Sequence, residues 1–312
     1  MDPMDRIHVE GDSTYMLMLE AARRGYPCWF CVPQQLRAEG GQARAVCQPI
    51  LARPTAPHFE IGALEDRPLG DFDVVWMRKD PPFDIDYIFS TYLLDLAPPS
   101  TLVLNRPASL RDFNEKMATF RWPELCVDTL VTQDIERAVA WARSQADRVV
   151  LKPWDGNGGR GVLVSHPDDG NLRSMVEILS NEGRRAIILQ RYIPEIRNGD
   201  KRIILIEGEP VGWMLRVPQP GDHRGNMHVG ARVEATELTQ REREICATLA
   251  PTMRRAGLLF VGIDVIGDYL TEVNVTSPTG IQEINRLMGL QLERRVTDAV
   301  EARLAALRQE VG

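Results

Sequence analysis

Two stretches within residues 260–281 alternate strictly between apolar residues and polar or small ones. The apolar positions are Val261, Ile263, Val265, Val273 and Val275, and the positions between them are Gly262, Asp264, Glu272 and Asn274. A period of two is typical of half-buried strands, so the pattern predicts a β-hairpin that turns at Gly267 and Asp268. A three-residue loop, 267–269, would place Asp264 opposite Glu272 and Gly262 opposite Asn274, whereas a two-residue loop would not.

The first 115 residues alternate between helical and strand patterns. We predict helices over 14–24 and 86–96, the first capped by Asp12 or Ser13, and strands over 28–32, 43–47, 73–77 and 101–105. This alternation is typical of a parallel, Rossmann-like sheet. A domain of this kind normally begins with an apolar strand, which is absent before the first helix, so we expect a few further N-terminal residues in the native protein.

Residues 116–195 and 196–312 predict two further domains. In the first, strands at 129–132, 149–152, 162–165 and 186–190 alternate with helices at 135–144 and 172–181, which is typical of a small α/β lid. In the second, strands at 202–207 and 210–216, a helix at 239–256, the hairpin and a helix at 290–307 predict an antiparallel sheet. The expected fold class is α/β (α+β), with domains 1–115, 116–195 and 196–312.

Composition restricts the function more than the fold. With 312 residues, 44% of them hydrophobic and 26% charged, the chain has ordinary globular composition, and a net charge of −7 argues against a nucleic-acid partner. We find neither a membrane-span pattern nor a signal peptide and therefore expect no membrane association and a cytoplasmic protein that acts on small molecules. Cys28 and Cys31 form a C-x-x-C pair without a second pair or nearby histidines, which favours buried structural thiols over a redox or zinc site.

A glycine-rich loop follows the strand that ends at Lys152. Gly156, Gly158 and Gly161 match the dinucleotide fingerprint, but that motif needs a helix next, and residues 162–165 continue as a strand. A glycine-rich turn between two strands can instead bind triphosphate oxygens on its backbone N–H groups, while Lys152 supplies a positive charge. The alternative is a flexible hairpin without a ligand.

The hairpin brings three oxygen-bearing side chains, Asp264, Glu272 and Asn274, to its polar face. Like charges at opposite positions destabilise a sheet unless a cation lies between them, and this set of ligands suits Mg²⁺ carrying nucleotide phosphates. The alternative is a solvated hairpin edge, since acidic residues facing water at every second position are common.

Three arginines, Arg202, Arg216 and Arg224, lie on or beside the strand pair that precedes the hairpin. One guanidinium group can bind two oxygens of a carboxylate or phosphate group, and acyl-phosphate chemistry would require such contacts. With Asp200, Lys201 and a polar loop at 218–230 that could close over them, they are candidate site residues.

The motifs occur in a characteristic order. They are Lys116, KPWDGNGGRGV, QRYIPEIRNGDKR, RVPQPGDHRGN and GIDVIGDYLTEVNVTSPTG, preceded by GDSTYMLMLEAARRGY, WMRKDPPFD and NRPASLRDFNEK. This order resembles the ATP-grasp ligases and specifically the bacterial glutathione synthetases, over nearly the whole chain. The resemblance implies an ATP-grasp fold with an N-terminal pre-ATP-grasp domain, and ATP-dependent joining of γ-glutamylcysteine to glycine through an acyl phosphate.

The resemblance also implies roles for individual residues. ATP would be bound by Lys116, Lys152, Asp155, Gly156, Gly158, Gly159, Gly161, Gln190, Arg191, Tyr192, Ile193 and Asp200. Two Mg²⁺ ions, with Mn²⁺ as a substitute, would be held by Asp264, Glu272 and Asn274. Arg202, Arg216 and Arg224 would be catalytic, and the peptide substrate would contact Asp12, Ser13, Arg78, Asp80, Ser277, Pro278, Thr279 and Gly280. The family is usually tetrameric, so a homo-oligomer is expected.

Two other classes of protein fit parts of the sequence. A different ATP-grasp ligase, such as one that joins D-alanines or adds glutamate to a protein, would share the nucleotide residues and differ in the substrate segments. A nucleotide-binding module without catalysis would not need paired acids around a metal, which argues against it.

Overall fold

The structure is a computed structural model that describes residues 1–156, 158–221, 225 and 230–311. The described strands are β1 Cys28–Phe30, β2 Leu36–Glu39, β3 Gln42–Ala52, β4 Phe59–Ile61, β5 Glu65–Pro68, β6 Val74–Trp76, β7 Leu102–Leu104, β8 Thr129–Thr132, β9 Val149–Pro153, β10 Leu163–Ser165, β11 Ile187–Arg191, β12 Asp200–Ile206, β13 Glu209–Val217, β14 Arg232–Glu234, β15 Phe260–Ile266 and β16 Tyr269–Asn274. The α-helices are α1 Ser13–Arg23, α2 Ile85–Leu94, α3 Pro107–Asp112, α4 Ile135–Arg143, α5 Leu172–Leu179, α6 Gln240–Ala256, α7 Ile281–Met288 and α8 Leu292–Val311. Within this part of the chain, no helix is both long and apolar enough to cross a membrane.

The N-terminal region departs from the parallel sheet that the alternation predicted. Only β6 and β7 pair in parallel among the described strands, and α2 lies in the connection between them. Strands β1, β2, β4 and β5 all pair antiparallel with the long strand β3. Parallel pairing needs a crossover of about a dozen residues or more, and the connections among β2 to β5 are too short to supply it. The prediction of a mainly parallel sheet was therefore wrong for this region.

The middle region forms a four-stranded antiparallel sheet in the order β10-β9-β11-β8. Apolar residues of α4 and α5 cover this sheet and form a core with Leu151 and Leu189, which are fully buried. The small α/β unit expected over these residues is present, and its exact boundaries stay a prediction.

The C-terminal sheet has the order β14-β13-β12-β15-β16, and every residue of its central strand β12 is buried. Alternation along β12 sends Ile203 into the core shared with α6, and Ile204 into the core shared with α7 and α8. Each buried aliphatic side chain contributes about 1.5–3 kcal/mol, so the two cores hold this sheet rigid beneath the site.

The hairpin register was predicted correctly, but the structure reaches it by a different route. Asp264 pairs with Glu272 and Gly262 pairs with Asn274. The turn contains two residues, because Ile266 pairs directly with Tyr269, and the required offset comes from a bulge at Thr271. The Thr271 hydroxyl donates a hydrogen bond to the Asp264 carbonyl over 3.0 Å, which ties the bulge to β15.

The cysteines do not form disulfides. All five are free, and Cys28 and Cys31 are half-buried rather than buried as predicted. Burial raises the pKa of both thiols, so neither is activated as a thiolate.

Candidate active site

A cleft lies between the middle sheet and the C-terminal hairpin. Its walls include many of the residues predicted to bind ATP, which are Lys116, Lys152, Gly156, Gly158, Gly159, Gln190, Arg191, Tyr192, Ile193 and Asp200. Two predicted metal ligands, Asp264 and Glu272, also line it. Tertiary folding therefore brings together groups that are up to 156 positions apart in the chain, from Lys116 to Glu272.

The glycine-rich loop connects β9 to β10, as the sequence predicted, and forms one wall of the cleft. Gly158, Gly159 and Gly161 have φ values of 59°, 78° and 72°, a conformation that L-residues with a side chain rarely adopt. At Gly156 a Cβ atom would lie 2.6 Å from Pro153 Cγ, so a larger residue would displace the loop. The backbone of this loop can therefore come close to a ligand in the cleft.

Lys152 carries a buried charge that forms no ion pair with any described carboxylate. Its side chain is 7% exposed, and its Nζ donates a hydrogen bond to Gln190 Oε1 at 3.2 Å. Among the described residues no Asp or Glu oxygen lies within 4.0 Å of this nitrogen, and burial lowers the pKa of the amine. A buried unpaired cation is costly, so the site favours an anionic ligand here.

Lys116 joins the glycine-rich loop to the hairpin. Its Nζ donates to the Gly156 carbonyl and to Glu115, and lies 3.5 Å from Glu272 Oε1. Burial opposes the charge, but the carboxylates of Glu272 and Glu115 raise the pKa of Lys116 above its usual value. Glu115 was not among the predicted site residues, although its place beside Lys116 in the NEK segment could have indicated it.

Four buried charged residues form a network beneath the cleft. Asp264 accepts hydrogen bonds from Arg202 at 2.5 and 2.9 Å, and Arg216 Nη2 lies 3.1 Å from its second oxygen. Arg216 also donates to both oxygens of Asp200, at 2.8 and 2.5 Å. Burial alone would raise the pKa of Asp264, but the two guanidinium groups hold it well below its usual range.

The three expected metal ligands lie close together on the hairpin. Asn274 Nδ2 donates to Asp264 Oδ2 at 3.3 Å, and Glu272 faces the cleft opposite Lys116. Across the described residues no group of three or more His, Cys, Asp or Glu side chains is placed to hold a metal, but the expected set includes an amide. Two carboxylates and an amide oxygen match the all-oxygen ligands of Mg²⁺, so the residues present fit this ion.

The expected adenine-binding segment follows β11 along the cleft wall. Gln190 Nε2 donates to Thr129 Oγ1 at 3.1 Å, which fixes the amide beside Lys152. Tyr192 and Ile193 are buried, and the Arg148 guanidinium lies 3.9 Å from the centroid of the Tyr192 ring. This segment therefore presents the apolar side chains of Tyr192 and Ile193 to the cleft, next to the polar groups of Gln190 and Lys152.

The residues predicted to contact the peptide substrate lie outside this cleft. Asp12 caps α1 by accepting a hydrogen bond from the Tyr15 N–H at 2.6 Å, and burial raises the pKa of its carboxyl group. Ser13 Oγ accepts from the Ile281 N–H at 3.3 Å, which joins α1 to the turn 277–280. The remaining members of the set are Arg78, which is buried against that turn, and Asp80, which is exposed.

A second, smaller cavity is lined by Trp154 and Asp155, which directly precede Gly156 of the main cleft. Asp155 lines it, together with Phe83 from the segment that follows Arg78, and Glu115 and Thr276 form other parts of the wall. Asp155, which was predicted to bind ATP, therefore lines the second cavity and not the main cleft.

Lys201 and Arg224 were also candidate site residues from the sequence. Lys201 points away from Asp200 and Arg202, because neighbouring residues of a strand face opposite sides, and its Nζ contacts Glu242 Oε2 at 2.7 Å. Lys201 therefore forms an ion pair that stabilises the fold, and it is not part of the site. Arg224 lies outside the described residues, although Gly225 passes so close to Asp200 that a Cβ atom would lie 2.5 Å from its Oδ1.

Comparison with solved structures identifies the class of the fold. A RimK domain ATP-grasp protein from Sphaerobacter thermophilus aligns over 95% of this chain and 96% of its own, with a TM-score of 0.60 and 21% identity. The ATP-grasp ligase PsnB in complex with a minimal precursor aligns over 95% of both chains, with a TM-score of 0.60 and 18% identity. The chain therefore has the ATP-grasp fold, in agreement with the glycine-rich loop and the acidic hairpin that line its cleft.

Comparison of sequences identifies the family. Residues 1–111 match the model of the prokaryotic glutathione synthetase N-terminal domain, and residues 115–289 match that of the prokaryotic glutathione synthetase ATP-grasp domain. The chain belongs to this family and is an ATP-dependent ligase. Glutathione synthetase of Thermosynechococcus vestitus is 47% identical over 95% of this chain and 96% of its own length. That of Mesorhizobium japonicum is 44% identical over 97% of each chain.

Proposed function

We propose that the chain joins γ-glutamylcysteine to glycine and converts ATP to ADP and phosphate. The observation that carries this proposal is the buried charge of Lys152, which has no ion-pair partner among the described residues and faces a cleft bordered by the glycine-rich loop and by Glu272. Such a cleft favours a polyanion next to a bound divalent cation. The relatives at 44–47% identity support the choice of peptide and amine.

In the first step, a cysteinyl carboxylate oxygen attacks the γ-phosphorus of ATP, and ADP leaves. Lys152 and Lys116 would hold the phosphates from two sides while the loop at 156–161 covers them. Mg²⁺ or Mn²⁺, held by Asp264, Glu272 and Asn274, would neutralise charge on the transferred phosphoryl group. Positioning and charge neutralisation provide most of the acceleration in phosphoryl transfer, and this cleft supplies both.

In the second step, the glycine amine attacks the acyl carbonyl, and phosphate leaves through a tetrahedral intermediate. Arg202 would face the acyl phosphate, since its Nε and Nη2 bind Asp264 while Nη1 makes only a 3.4 Å contact with the Thr279 carbonyl. Arg216 binds two carboxylates with its Nε and Nη2, so a substrate carboxylate would reach it at Nη1. The N–H groups of the turn 277–280 would bind a substrate carboxylate.

The proposal also covers the location, the assembly and the domains of the enzyme. We propose a cytoplasmic enzyme that forms homotetramers, organised into domains 1–115, 116–195 and 196–312. Arg224 and the polar loop 218–230 would close over the bound substrates. Size-exclusion chromatography with light scattering measures the assembly, and a monomeric mass would contradict the tetramer.

The experiment that tests the reaction measures phosphate release by the purified chain with Mg²⁺-ATP. γ-Glutamylcysteine and glycine are supplied separately and together, and the product is identified by mass. Release that requires both compounds and yields the tripeptide supports the proposal. Release that depends instead on two D-alanines, or on a protein acceptor and glutamate, would assign a different ATP-grasp ligase activity.

A further inference from the structure

Glu115 lies between Asn114 and Lys116 in a turn beside the main cleft, and no step of the proposed reaction uses it. Its side chain is 19% exposed and lines the second cavity, whereas Lys116 is 5% exposed and lines the main cleft. Asn114 Oδ1 accepts hydrogen bonds from the N–H groups of Lys116 and Met117 at 3.2 and 3.1 Å. These bonds fix the turn from which both charged side chains extend.

The backbone of Glu115 is bonded to the hairpin that carries the expected metal ligands. The Val273 N–H donates a hydrogen bond to the Glu115 carbonyl over 2.8 Å. Val273 is fully buried and lies between Glu272 and Asn274 on β16. This bond therefore keeps Glu115 beside the strand that provides two of the three expected ligands.

The Lys116 ammonium group has three partners. Its Nζ donates to the Glu115 carboxylate and to the Gly156 carbonyl, and it lies 3.5 Å from Glu272 Oε1. The contact with Glu115 is shorter than the contact with Glu272. Burial and the charge of Glu272 raise the pKa of Glu115, and Lys116 opposes this rise, so the carboxylate depends on the ammonium group for its charge.

The two carboxylates differ in what they can do beside a divalent cation. Glu272 belongs to the set that fits Mg²⁺, and a cation bound there would repel the Lys116 ammonium from that carboxylate. Glu115 is outside that set and stays available to Lys116. A lysine ammonium has three N–H donors. Glu115 and the Gly156 carbonyl occupy two of them, and the third, which points to the most distant partner, can then reach a phosphate oxygen.

We propose that Glu115 is a positioning residue for nucleotide binding. Together with the Gly156 carbonyl, its carboxylate holds the Lys116 ammonium between the glycine-rich loop and the hairpin, with one N–H directed at a phosphate of ATP. This inference rests on the proposed function, which assigns Lys116 to the phosphates, and it extends that function by giving the two carboxylates separate tasks. Glu272 holds the cation, and Glu115 acts only through Lys116.

The test is a double-mutant cycle on Glu115 and Lys116, in which calorimetric titration measures the dissociation constant of Mg²⁺-ATP. Glu115→Gln keeps the size of the side chain and removes its charge. We expect it to raise the dissociation constant by about 10-fold, as for a lost hydrogen bond to a charged group. In the Lys116→Met background the same substitution should weaken binding no further, because its effect passes through the ammonium group. Two residues that act independently would instead multiply their effects.

The control is Glu124→Gln, the same substitution at an exposed position nine residues further on. It should leave the dissociation constant within about two-fold of wild type. Loss of one member of a buried ion pair destabilises a fold, so the melting temperature of each variant is measured as well. The double variant lacks both members of the pair, and its comparison with Lys116→Met decides the question even if Glu115→Gln does not fold.

Two results would overturn the inference. One is equal or tighter binding of Mg²⁺-ATP by Glu115→Gln, and the other is a double variant that binds about 10-fold more weakly than Lys116→Met. A merely structural role would lower the melting temperature of Glu115→Gln and leave the dissociation constant of its folded fraction unchanged.

Failure of the inference and failure of the proposed function give different results, because the titration contains no peptide or amine substrate. If wild type produces glutathione and the cycle shows independent effects, the inference alone is wrong. If the cycle shows the expected coupling and wild type produces no glutathione, the proposed substrates are wrong and the role of Glu115 stands. If wild type does not bind Mg²⁺-ATP, both are wrong.

Discussion

Replacement of Lys152 by methionine tests whether an unpaired buried cation forms part of the nucleotide site. Methionine has a similar shape and no charge, so the change removes the ammonium group from a side chain that is 7% exposed. We expect a large loss of ATP affinity together with equal or greater stability of the ligand-free protein. The reason is that Lys152 forms no ion pair with a described carboxylate, so its removal leaves none of them unpaired, whereas a bound phosphate would lose its contact.

The size of the effect follows from the geometry. A hydrogen bond to a charged group contributes about 1.5–3 kcal/mol, which corresponds to about 10- to 150-fold in the dissociation constant of ATP. At an ATP concentration of about 100 times the wild-type dissociation constant, binding stabilises wild type by about 2.7 kcal/mol. A 30-fold weaker variant would gain only about 0.9 kcal/mol at the same concentration.

The control is Lys201→Met, because Lys201 is buried to the same extent but is paired. It is 6% exposed and lies 2.7 Å from Glu242 Oε2. Removing one member of a buried ion pair costs about 3–5 kcal/mol, so this variant should be destabilised while its folded fraction still binds ATP. Thermal unfolding with and without Mg²⁺-ATP, and calorimetric titration, measure both effects.

The pH dependence gives an independent check. Burial lowers the pKa of Lys152 below its unfolded value of 10.5, so between these two pKa values the unfolded chain binds more protons. The free energy of unfolding of wild type, measured relative to Lys152→Met, should therefore rise with pH up to about 10.5. Normal stabilisation of Lys152→Met by ATP, or a loss of stability comparable to that of Lys201→Met, would refute the reasoning.

Three further predictions concern other charged groups. Glu272→Gln should abolish turnover and leave the melting temperature nearly unchanged, since its side chain borders the open cleft and Glu115 still pairs with Lys116; a near-normal kcat would contradict its role. Arg202→Ala should raise the activation barrier by about 3–4 kcal/mol while Arg216 still neutralises Asp264, and steady-state kinetics with a kcat within about ten-fold of wild type would argue against it. Hydrogen bonds from Arg23, opposed by burial and supported by Arg24, lower the pKa of Glu20 to about 2. The stability that this carboxylate provides should be present above pH 4.5 and lost as the pH falls through about 2, and unfolding of Glu20→Gln over the same range measures the difference.

The sequence alone determined the local structure of the site. Alternation over 261–265 and 272–275 predicted two strands and the pairing of Asp264 with Glu272, because side-chain direction in a strand has a period of two. The strand that follows the glycine-rich loop excluded a dinucleotide fingerprint, and β10 is that strand. The order of the motifs indicated the family that the comparisons confirm.

Only the tertiary structure decided which strands pair and which charges are compensated. The bulge at Thr271 replaced the expected three-residue turn, and the strands around β3 pair antiparallel despite a pattern typical of a parallel sheet. Lys152 and Lys201 look alike in the sequence, yet Glu242, 41 positions further on, pairs with Lys201, and no described carboxylate pairs with Lys152. Side-chain periodicity and turn chemistry are local properties of the chain, whereas the partner of a strand or of a buried charge comes from a distant segment. That partner is fixed only when the cores on both sides of β12 are packed.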